Sequence, residues 1–408
     1  MKQSLKHILF LAVIPVFLSV ISILSAPDTA RAADPIVIGV LHWEKFTYAN
    51  MMRNSHEMAL EVINREGRIK GRPLKLVYAD DGGKRPTGEK AVISLVKEGG
   101  AVMIVGGYGS SNTIYAAGIA NDLGIPFIIS TAADDRITQR RWKNVYRMNP
   151  PAKEYAKGVE ELLLKKIKPS SIAIVYENSP FGTSGALRMV WFCREHDIEM
   201  RKIIPYHKER ESPAYFQKLL GTLKDDPPDV IYMVSYLKDG ASLVKKIREL
   251  NIKSLLIGAA GGFTSHKFIT MAGSASDYLV TATLWTPQLP YQGTNEYYGN
   301  YMKKYAVPPD YHGAEAYSVL LVAADSLRRA KSLNPEDIRA ALDKTDLQTP
   351  FGPVSFKSYG KFERQNSLPT MVLQVTNNRF ESVWPGEIAT SKFKSLPGWK
   401  DSGKGNDK

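Results

Sequence analysis

Short apolar runs alternate with amphipathic segments along most of the chain. Each run is nearly uniform in apolar character, whereas the amphipathic segments repeat their apolar residues at helical spacing. Uniform apolar strands separated by helices are typical of parallel sheets covered on both faces. The pattern therefore predicts an α/β fold with doubly wound parallel sheets. The strand-like runs are "IVIGVLH" (36–42), "LKLVYA" (74–79), "AVMIV" (101–105), "PFIIS" (126–130), "SIAIVY" (171–176), "DVIYMV" (229–234) and "SLLIG" (254–258), and helical patterns include 53–67, 154–166 and 212–224.

The number of strands exceeds what one compact sheet holds. The Pro-rich stretch "YRMNPPAKEY" (146–155) falls between two series of strands and helices. We therefore predict two α/β lobes, which suits a chain of 408 residues. Ligands of such sheets bind beyond the carboxyl ends of the strands, so the cleft between the lobes is the expected site.

The stretch "VGGYGSSNTIYAAG" (105–118) lies at such a strand end and leads into a predicted helix that starts near Ser110 and Ser111. No lysine follows its glycines, as a P-loop requires, and Asn112 stands where a dinucleotide fingerprint has its third glycine. The spacing of a nucleophile elbow is also missing. Serine hydroxyls that bind a carboxylate at a helix N-terminus remain as one interpretation. A plain turn with a helix cap is the other.

The chain begins with the features of a secretory signal peptide. Lys2 and Lys6 precede an apolar run, which extends from Ile8 to Leu24 without a charge, and an A-x-A site ends at Ala32. We predict cleavage near Ala32 and export to the periplasm. A retained membrane anchor is the alternative, because the apolar run is nearly long enough to span a bilayer.

Charge and cysteine content narrow the possible partners. The formal net charge is +13, with basic clusters at 136–143 and 165–168 and in a tail, 391–408, that we expect to be flexible. In an exported protein these clusters predict a solvated surface rather than nucleic-acid binding; a face for acidic loops or anionic lipids is the alternative. Cys193 is the single cysteine and is expected to be a buried helix residue.

Metal and catalytic motifs are missing from the sequence. The seven histidines have no H-E-x-x-H or other tight spacing, which argues against a zinc site. No Ser, His and acid constellation stands out. We therefore expect no metal, no cofactor and no enzymatic activity.

The order of several segments resembles a known family, the type I periplasmic solute-binding proteins of ABC transporters, in their branched-chain amino acid (Leu/Ile/Val) binding group. The resemblance covers nearly the whole mature chain, and the order and spacing of its pieces are more specific than any single one. These pieces are "MALEVINREGRIKGRPLKLVYADD" (58–81), "GIPFIISTAA" (124–133), "SIAIVYENSPFGTSG" (171–185), "DLQTPFGPVSF" (346–356) and "YHGAEAYSVLLVAADSLRRA" (311–330).

The resemblance implies a Venus flytrap, in which two lobes joined by three crossovers close on a small solute and present it to an inner-membrane ABC permease. The crossings are expected near Asn149–Pro150, Leu284–Trp285 and Thr349–Pro350. The N-terminal lobe would then comprise 33–149 and 285–349, and the C-terminal lobe 150–284 and 350–390. A monomer is expected.

The resemblance also implies a ligand site, which this sequence matches unevenly. The aromatic residue of the first βα loop corresponds to Tyr48 and the carboxylate-binding serine to Ser110. The residues that contribute backbone groups correspond to Ala132 and Ala133, and Tyr236 to an aromatic wall. Three positions depart from the family. A threonine is replaced by Asp134, a tyrosine by Phe181, and the acid that pairs with the ligand's ammonium by Ala260.

The loss of that acid affects the class of solute. A desolvated ammonium without a carboxylate partner is costly, so an amino acid would need a replacement acid, for which Asp134 is the candidate. If Asp134 faces away from the cleft, an amine-free carboxylate or an amide is favoured, and this is the case we prefer. The aromatic candidates for contact with a flat apolar body are Trp43, Phe46, Tyr48, Tyr108, Phe181, Tyr236 and Phe263, of which Phe46 and Phe263 are equally well explained as core residues.

The sequence therefore predicts a periplasmic solute receptor that serves an ABC importer and binds a small carboxylate, an aromatic acid, an amide or an amino-acid-like solute. A ligand-sensing regulator on the same fold is one alternative, and an exported hydrolase on a two-lobed scaffold is another.

Overall fold

A computed structural model describes residues 34–210 and 212–399. The predicted signal peptide, 1–32, and the last residues of the basic tail, 400–408, lie outside the described residues. In chain order the strands are β1 (Ile36–His42), β2 (Leu74–Asp80), β3 (Met103–Gly106), β4 (Phe127–Ile129), β5 (Val145–Arg147), β6 (Ser171–Glu177), β7 (Glu199–Tyr206), β8 (Val230–Val234), β9 (Leu255–Gly258), β10 (Val280–Thr283), β11 (Leu347–Thr349), β12 (Gly352–Val354), β13 (Lys357–Tyr359), β14 (Phe362–Gln365), β15 (Met371–Thr376) and β16 (Arg379–Trp384).

Helices connect most of the parallel strands. They are α1 (Ala49–Glu66), α2 (Arg85–Lys97), α3 (Ser110–Asp122), α4 (Arg136–Gln139), α5 (Lys157–Leu162), α6 (Pro180–Glu195), α7 (Pro213–Gly221), α8 (Leu237–Glu249), α9 (His266–Ala272), α10 (Thr294–Tyr305), α11 (Tyr311–Arg329) and α12 (Pro335–Leu342). Within 34–210 and 212–399, none of the helices combines the length and apolar character that crossing a membrane requires.

The first lobe is built on a seven-stranded sheet in the order β13-β14-β5-β4-β3-β1-β2. Strands β1 to β5 are parallel to their neighbours, and β13 pairs antiparallel with β14 at one edge. Most residues of these central strands are buried, because helices cover both faces of the sheet. Helix α11 packs against α1 and β3 and so belongs to this lobe.

The second lobe repeats the arrangement with the order β16-β15-β10-β9-β8-β6-β7. Strands β6 to β10 are parallel, whereas β15 and β16 extend the sheet in antiparallel pairs. Both sheets therefore have the predicted parallel core, to which hairpins add antiparallel edges.

The chain passes between the two sheets three times, and the third passage differs from the prediction. The first lies between β5 and β6, and the second follows β10. The third lies between Gln365 and Met371 and not near Thr349–Pro350, because β13 and β14 join the first sheet, where Gln365 pairs with Arg147. The sequence analysis assigns residues 357–365 to the C-terminal lobe, and this assignment is wrong because they belong to the first sheet. The other proposed lobe boundaries stay a prediction.

The prediction of a flexible basic tail is also wrong for the first residues of that tail. Residues 391–399 pack on the second lobe, where Lys394 exchanges two hydrogen bonds with the side chain of Gln374. The buried indole of Trp399 donates to the carbonyl of Asp229 at 2.7 Å. An aromatic side chain and paired polar groups fix this segment, although its net charge suggested solvation.

Candidate functional site

A small cavity lies between the carboxyl ends of the strands of the two lobes. Its volume is about 20 Å³, which is room for about one water molecule. The first lobe lines it with side chains that follow β3 and β4 and begin α11, and the second lobe with residues that follow β6, β8 and β9. The lining residues are Tyr108, Ser110, Thr131, Ala133, Tyr155, Phe181, Tyr236, Gly261, Tyr311 and His312.

Ser110 begins α3 directly behind the turn that ends β3. Its Oγ accepts hydrogen bonds from the backbone N–H groups of Ala133 at 3.2 Å and Asp134 at 3.1 Å. Since these two bonds occupy the lone pairs of the hydroxyl, its proton is left to donate. The residues at this end of the cavity are therefore hydrogen-bond donors beside a helix N-terminus, where negative charge is stabilised.

The side chain of Arg147 stabilises the loop that supplies those N–H groups. This side chain is fully buried, and its guanidinium donates to the carbonyl of Asp134 at 2.6 Å and to Thr138 Oγ1 at 2.9 Å. It also donates to Gln365 Oε1 at 2.7 Å. Burial lowers the pKa of Arg147. These hydrogen bonds connect the loop after β4 to strand β14.

Asp134 does not face the cavity. Its carboxylate forms an ion pair with the guanidinium of Arg136 at 2.7 Å and accepts the backbone N–H of the same residue at 3.0 Å. The proposed replacement for the ammonium-binding acid is therefore engaged elsewhere.

The second lobe contributes an apolar and backbone surface to the cavity. The rings of Phe181 and Tyr236 lie 5.5 Å apart, and Tyr236 also faces Tyr108 of the first lobe at 6.3 Å. Gly261 has φ of +105°, and a Cβ there would come within 3.2 Å of the ring of Phe181. The positive φ, together with this close approach, favours glycine at this position.

Tyr48 joins the two lobes at the edge of the cavity. Its buried hydroxyl donates to the carbonyl of Gly261 at 3.1 Å and lies 3.4 Å from Ser265 Oγ. The ring stacks on His312, with centroids 4.0 Å apart. Burial raises the pKa of Tyr48 well above its usual range, so the hydroxyl stays a neutral donor.

The first turn of α11 forms a wall of the cavity that the sequence analysis missed. Asp310 caps the helix and accepts both the backbone N–H of His312 at 3.0 Å and, at 2.9 Å, its ring Nδ1. The imidazole is fully buried between Tyr48 and Tyr311, and its Nε2 has no hydrogen-bond partner among the described residues.

Glu315 lies one turn further along the same face of α11. It is fully buried, and neither carboxyl oxygen has a hydrogen-bond partner within the described part of the chain. Burial raises its pKa well above its usual range, an effect that the nearby hydroxyl of Thr131 opposes. Burial therefore favours the neutral form of this carboxyl group.

The remaining predicted residues lie outside the cavity. Ser111 is exposed on α3, and Ala132 is buried, with its N–H bonded to the carbonyl of Gly107. Phe263 belongs to the core of the second lobe, because its ring occupies the space where Gly258 lacks a side chain. Trp43 and Phe46 stack at 5.0 Å and line an outer groove of about 240 Å³ that also contacts Tyr236.

Six residues at or beside the cavity were not predicted, namely Thr131, Tyr155, Gly261, Tyr311, His312 and Glu315. A signal for the last of these was present in "YHGAEAYSVLL", where a charged residue stands on the otherwise apolar face of a helix. Charged residues are rarely buried without a partner, so this pattern could have indicated a polar wall.

Other reactive groups lie away from the cavity. No group of three or more potential metal ligands occurs in the ranges 34–210 and 212–399. Cys193 is buried on α6, and burial raises the pKa of its thiol to about 11, so at neutral pH it is present as the unreactive thiol.

Comparisons with known proteins agree with this architecture. Residues 38–379 match the periplasmic binding protein family. "Leu/Ile/Val-binding protein homolog 7" of Brucella suis is 27% identical over 362 residues, covering 83% of this chain and 88% of that relative.

Two solved structures share the fold. The branched-chain amino acid substrate-binding protein LivJ of Streptococcus pneumoniae, in complex with isoleucine, has a TM-score of 0.77 at 20% identity and covers 86% of this chain and 100% of its own. A solute-binding protein of R. palustris in complex with benzoate has a TM-score of 0.75 at 18% identity, with 86% and 95% covered. The fold class and family resemblance predicted from the sequence are confirmed, and the chain belongs to the periplasmic binding protein family, with the type I two-lobed fold of its branched-chain amino acid binding group.

Proposed function

We propose that the protein is the solute-binding component of an ABC-type importer and binds a small carboxylate or amino-acid-like solute between its lobes. The observation that carries the proposal is the cavity at the carboxyl ends of both sheets, which has hydrogen-bond donors at one end and aromatic rings around it. Such a site is suited to binding and orienting a small solute.

The carboxylate is expected at Ser110. The hydroxyl proton of Ser110, the N–H groups of Ala133 and Asp134 and the N-terminus of α3 converge there. A carboxylate oxygen that replaced Ser110 Oγ as acceptor of these N–H groups would gain charge-assisted hydrogen bonds, which are stronger than the bonds they replace.

The size of the cavity implies that the lobes separate before a solute enters. A volume of about 20 Å³ is far smaller than a benzoate or a leucine-like molecule requires. The lobe contacts made by Tyr48 would therefore break on opening and form again around the solute. Hinge closure of this kind is how a binding protein reports its loaded state to a partner.

The proposed partner is an inner-membrane permease, and the proposed compartment is the periplasm. The signal-like sequence before Ala33 supports export. Family membership supports the transport role, because the relatives with matching sequences are Leu/Ile/Val-binding proteins by name. We propose that the protein acts as a monomer with no catalytic activity.

Mass spectrometry of solutes released from the purified protein tests the proposal. The protein would be isolated without prior denaturation, washed by rapid desalting and then unfolded to release what it holds. We expect a small organic acid in a ratio approaching one per chain, and less of it from Ser110→Ala than from the matched control Ser111→Ala. Release of a sugar or another solute without a carboxylate would contradict the proposal.

A further inference from the structure

One residue that lines the cavity has a buried polar atom without a hydrogen-bond partner, and this atom can act as an acceptor, whereas Ser110 is a donor. His312 is fully buried and lines the cavity, and its Nε2 has no partner among the described residues. Buried polar atoms in native proteins are nearly always hydrogen-bonded, so an exception inside a cavity indicates a group that a ligand satisfies.

The role of this nitrogen follows from Asp310. The carboxylate lies 2.9 Å from His312 Nδ1 and can only accept a hydrogen bond, so Nδ1 carries the proton. In a neutral imidazole the other nitrogen then presents a lone pair. The same carboxylate also accepts the backbone N–H of His312, which fixes the ring in place.

The stacking of the ring further limits its movement. Tyr48 lies on one side of the imidazole with centroids 4.0 Å apart, and Tyr311 on the other at 3.9 Å. The orientation of the imidazole in the cavity lining is therefore fixed, and in the neutral ring Nε2 is an acceptor, while Ser110 and the N–H groups beside it are donors.

We propose that His312 determines specificity by accepting a hydrogen bond from a second polar group of the solute, an O–H or N–H carried in addition to the carboxylate. The inference rests on the proposed function and narrows its ligand class. A solute with only a carboxylate would leave Nε2 desolvated and unpaired. A hydroxylated aromatic acid and an amino acid both supply the donor, and they share this chemistry.

A buried histidine without a hydrogen-bond partner is not by itself evidence for a contact with a ligand. Neither ring nitrogen of the fully buried His56 has a partner in the described ranges. His56 lies within α1 and is not among the residues that line the cavity. His312, in contrast, lines the space that a solute can occupy.

Calorimetry with two matched pairs of probes tests the inference. The first pair is benzoate and 4-hydroxybenzoate, and the second is 3-methylpentanoate and isoleucine; in each pair the second member adds one donor group. The wild-type chain is compared with His312→Phe, which keeps an aromatic ring between Tyr48 and Tyr311 but removes both nitrogens. His266→Phe is the control at an exposed position.

We expect the wild-type protein to bind the donor-bearing member of at least one pair at least tenfold more tightly. His312→Phe should reduce that ratio below threefold, whereas His266→Phe should retain it. The pair that shows the preference identifies the donor as a hydroxyl or an amine.

Several results would overturn the inference. Equal or tighter binding of benzoate and 3-methylpentanoate by the wild-type protein contradicts it while leaving the proposed function intact, and this comparison needs no variant that might fail to fold. A ratio that persists in His312→Phe also contradicts it. Binding of none of the four probes would overturn the carboxylate function together with the inference.

Discussion

The two walls of the cleft differ in chemistry. The first lobe presents polar groups that are fixed by buried hydrogen bonds, with Ser110 at the start of α3 and His312 at the start of α11. The second lobe presents the ring faces of Phe181 and Tyr236 and the backbone of Gly261. We propose that the first lobe recognises the polar groups of a solute, whereas the second covers its apolar body and excludes water.

The largest expected effect comes from removing the support of the polar wall. Arg147→Met would remove the charged donor to the carbonyl of Asp134, to Thr138 Oγ1 and to Gln365 Oε1. We expect the free energy of unfolding to fall by about 3 kcal/mol or more, since several buried acceptors each lose a charge-assisted hydrogen bond together. Urea denaturation measures it.

Arg140→Met is the control for this substitution, because Arg140 is an exposed arginine of the same segment. A change within about 0.5 kcal/mol is expected there. Equal stability losses in the two variants would show that Arg147 does not hold the loop.

Glu315 allows a test of the buried acid in the same wall. Its pKa in the folded protein is raised, so between its unfolded and folded pKa values the native state holds more protons than the unfolded state. Stability therefore falls as pH rises through this window, by up to about 1.4 kcal/mol per pH unit. Glu315→Gln should remove this dependence, so that the variant gains stability relative to wild type as the pH rises above the usual carboxyl range. Parallel pH profiles of the two proteins would argue that Glu315 is not buried as described.

Ser110→Ala breaks the polar wall at the carboxylate end. We expect the affinity for the released solute to fall by about 1 to 3 kcal/mol, because a hydrogen bond to a buried charged group is lost. Ser111→Ala, at the neighbouring exposed position, should leave the affinity unchanged. Titration calorimetry on both variants decides the assignment, and equal affinities would refute it.

Asp134→Asn should have the smallest effect on binding. The carboxylate is paired with Arg136 and does not line the cavity, so we expect the dissociation constant to change by less than twofold. A loss of tenfold or more, confined to solutes that carry an amine, would mean that Asp134 turns into the cleft when a solute binds.

The sequence predicted the fold well, because strand-like runs and helical periodicity are local patterns that doubly wound sheets impose. Ser110 and Tyr108 could be located in the same way, since βα loops at the carboxyl ends of parallel strands meet at one edge. The rest depended on contacts between distant segments. Whether Asp134 turns toward Arg136 or toward the cleft is decided by a single side-chain orientation, which spacing does not determine.

The contribution of α11 to the polar wall could not be predicted because its residues lie far from Ser110 along the chain. His312 follows Ser110 by about two hundred residues and reaches the cleft only because α11 packs against α1 and β3 of the first lobe. The third crossing was misplaced for a similar reason, since the hairpin of β13 and β14 pairs with β5 across a long stretch of chain.

Small-angle X-ray scattering with and without the released solute tests most directly whether the two walls close on a ligand. The protein would be measured at saturating solute, with binding verified by calorimetry on the same sample. We expect a smaller radius of gyration with solute, matching the closed lobes joined by Tyr48 and Gly261, and a larger radius without it. An identical radius in both states, with saturation verified, would contradict a cleft that opens and closes around its solute.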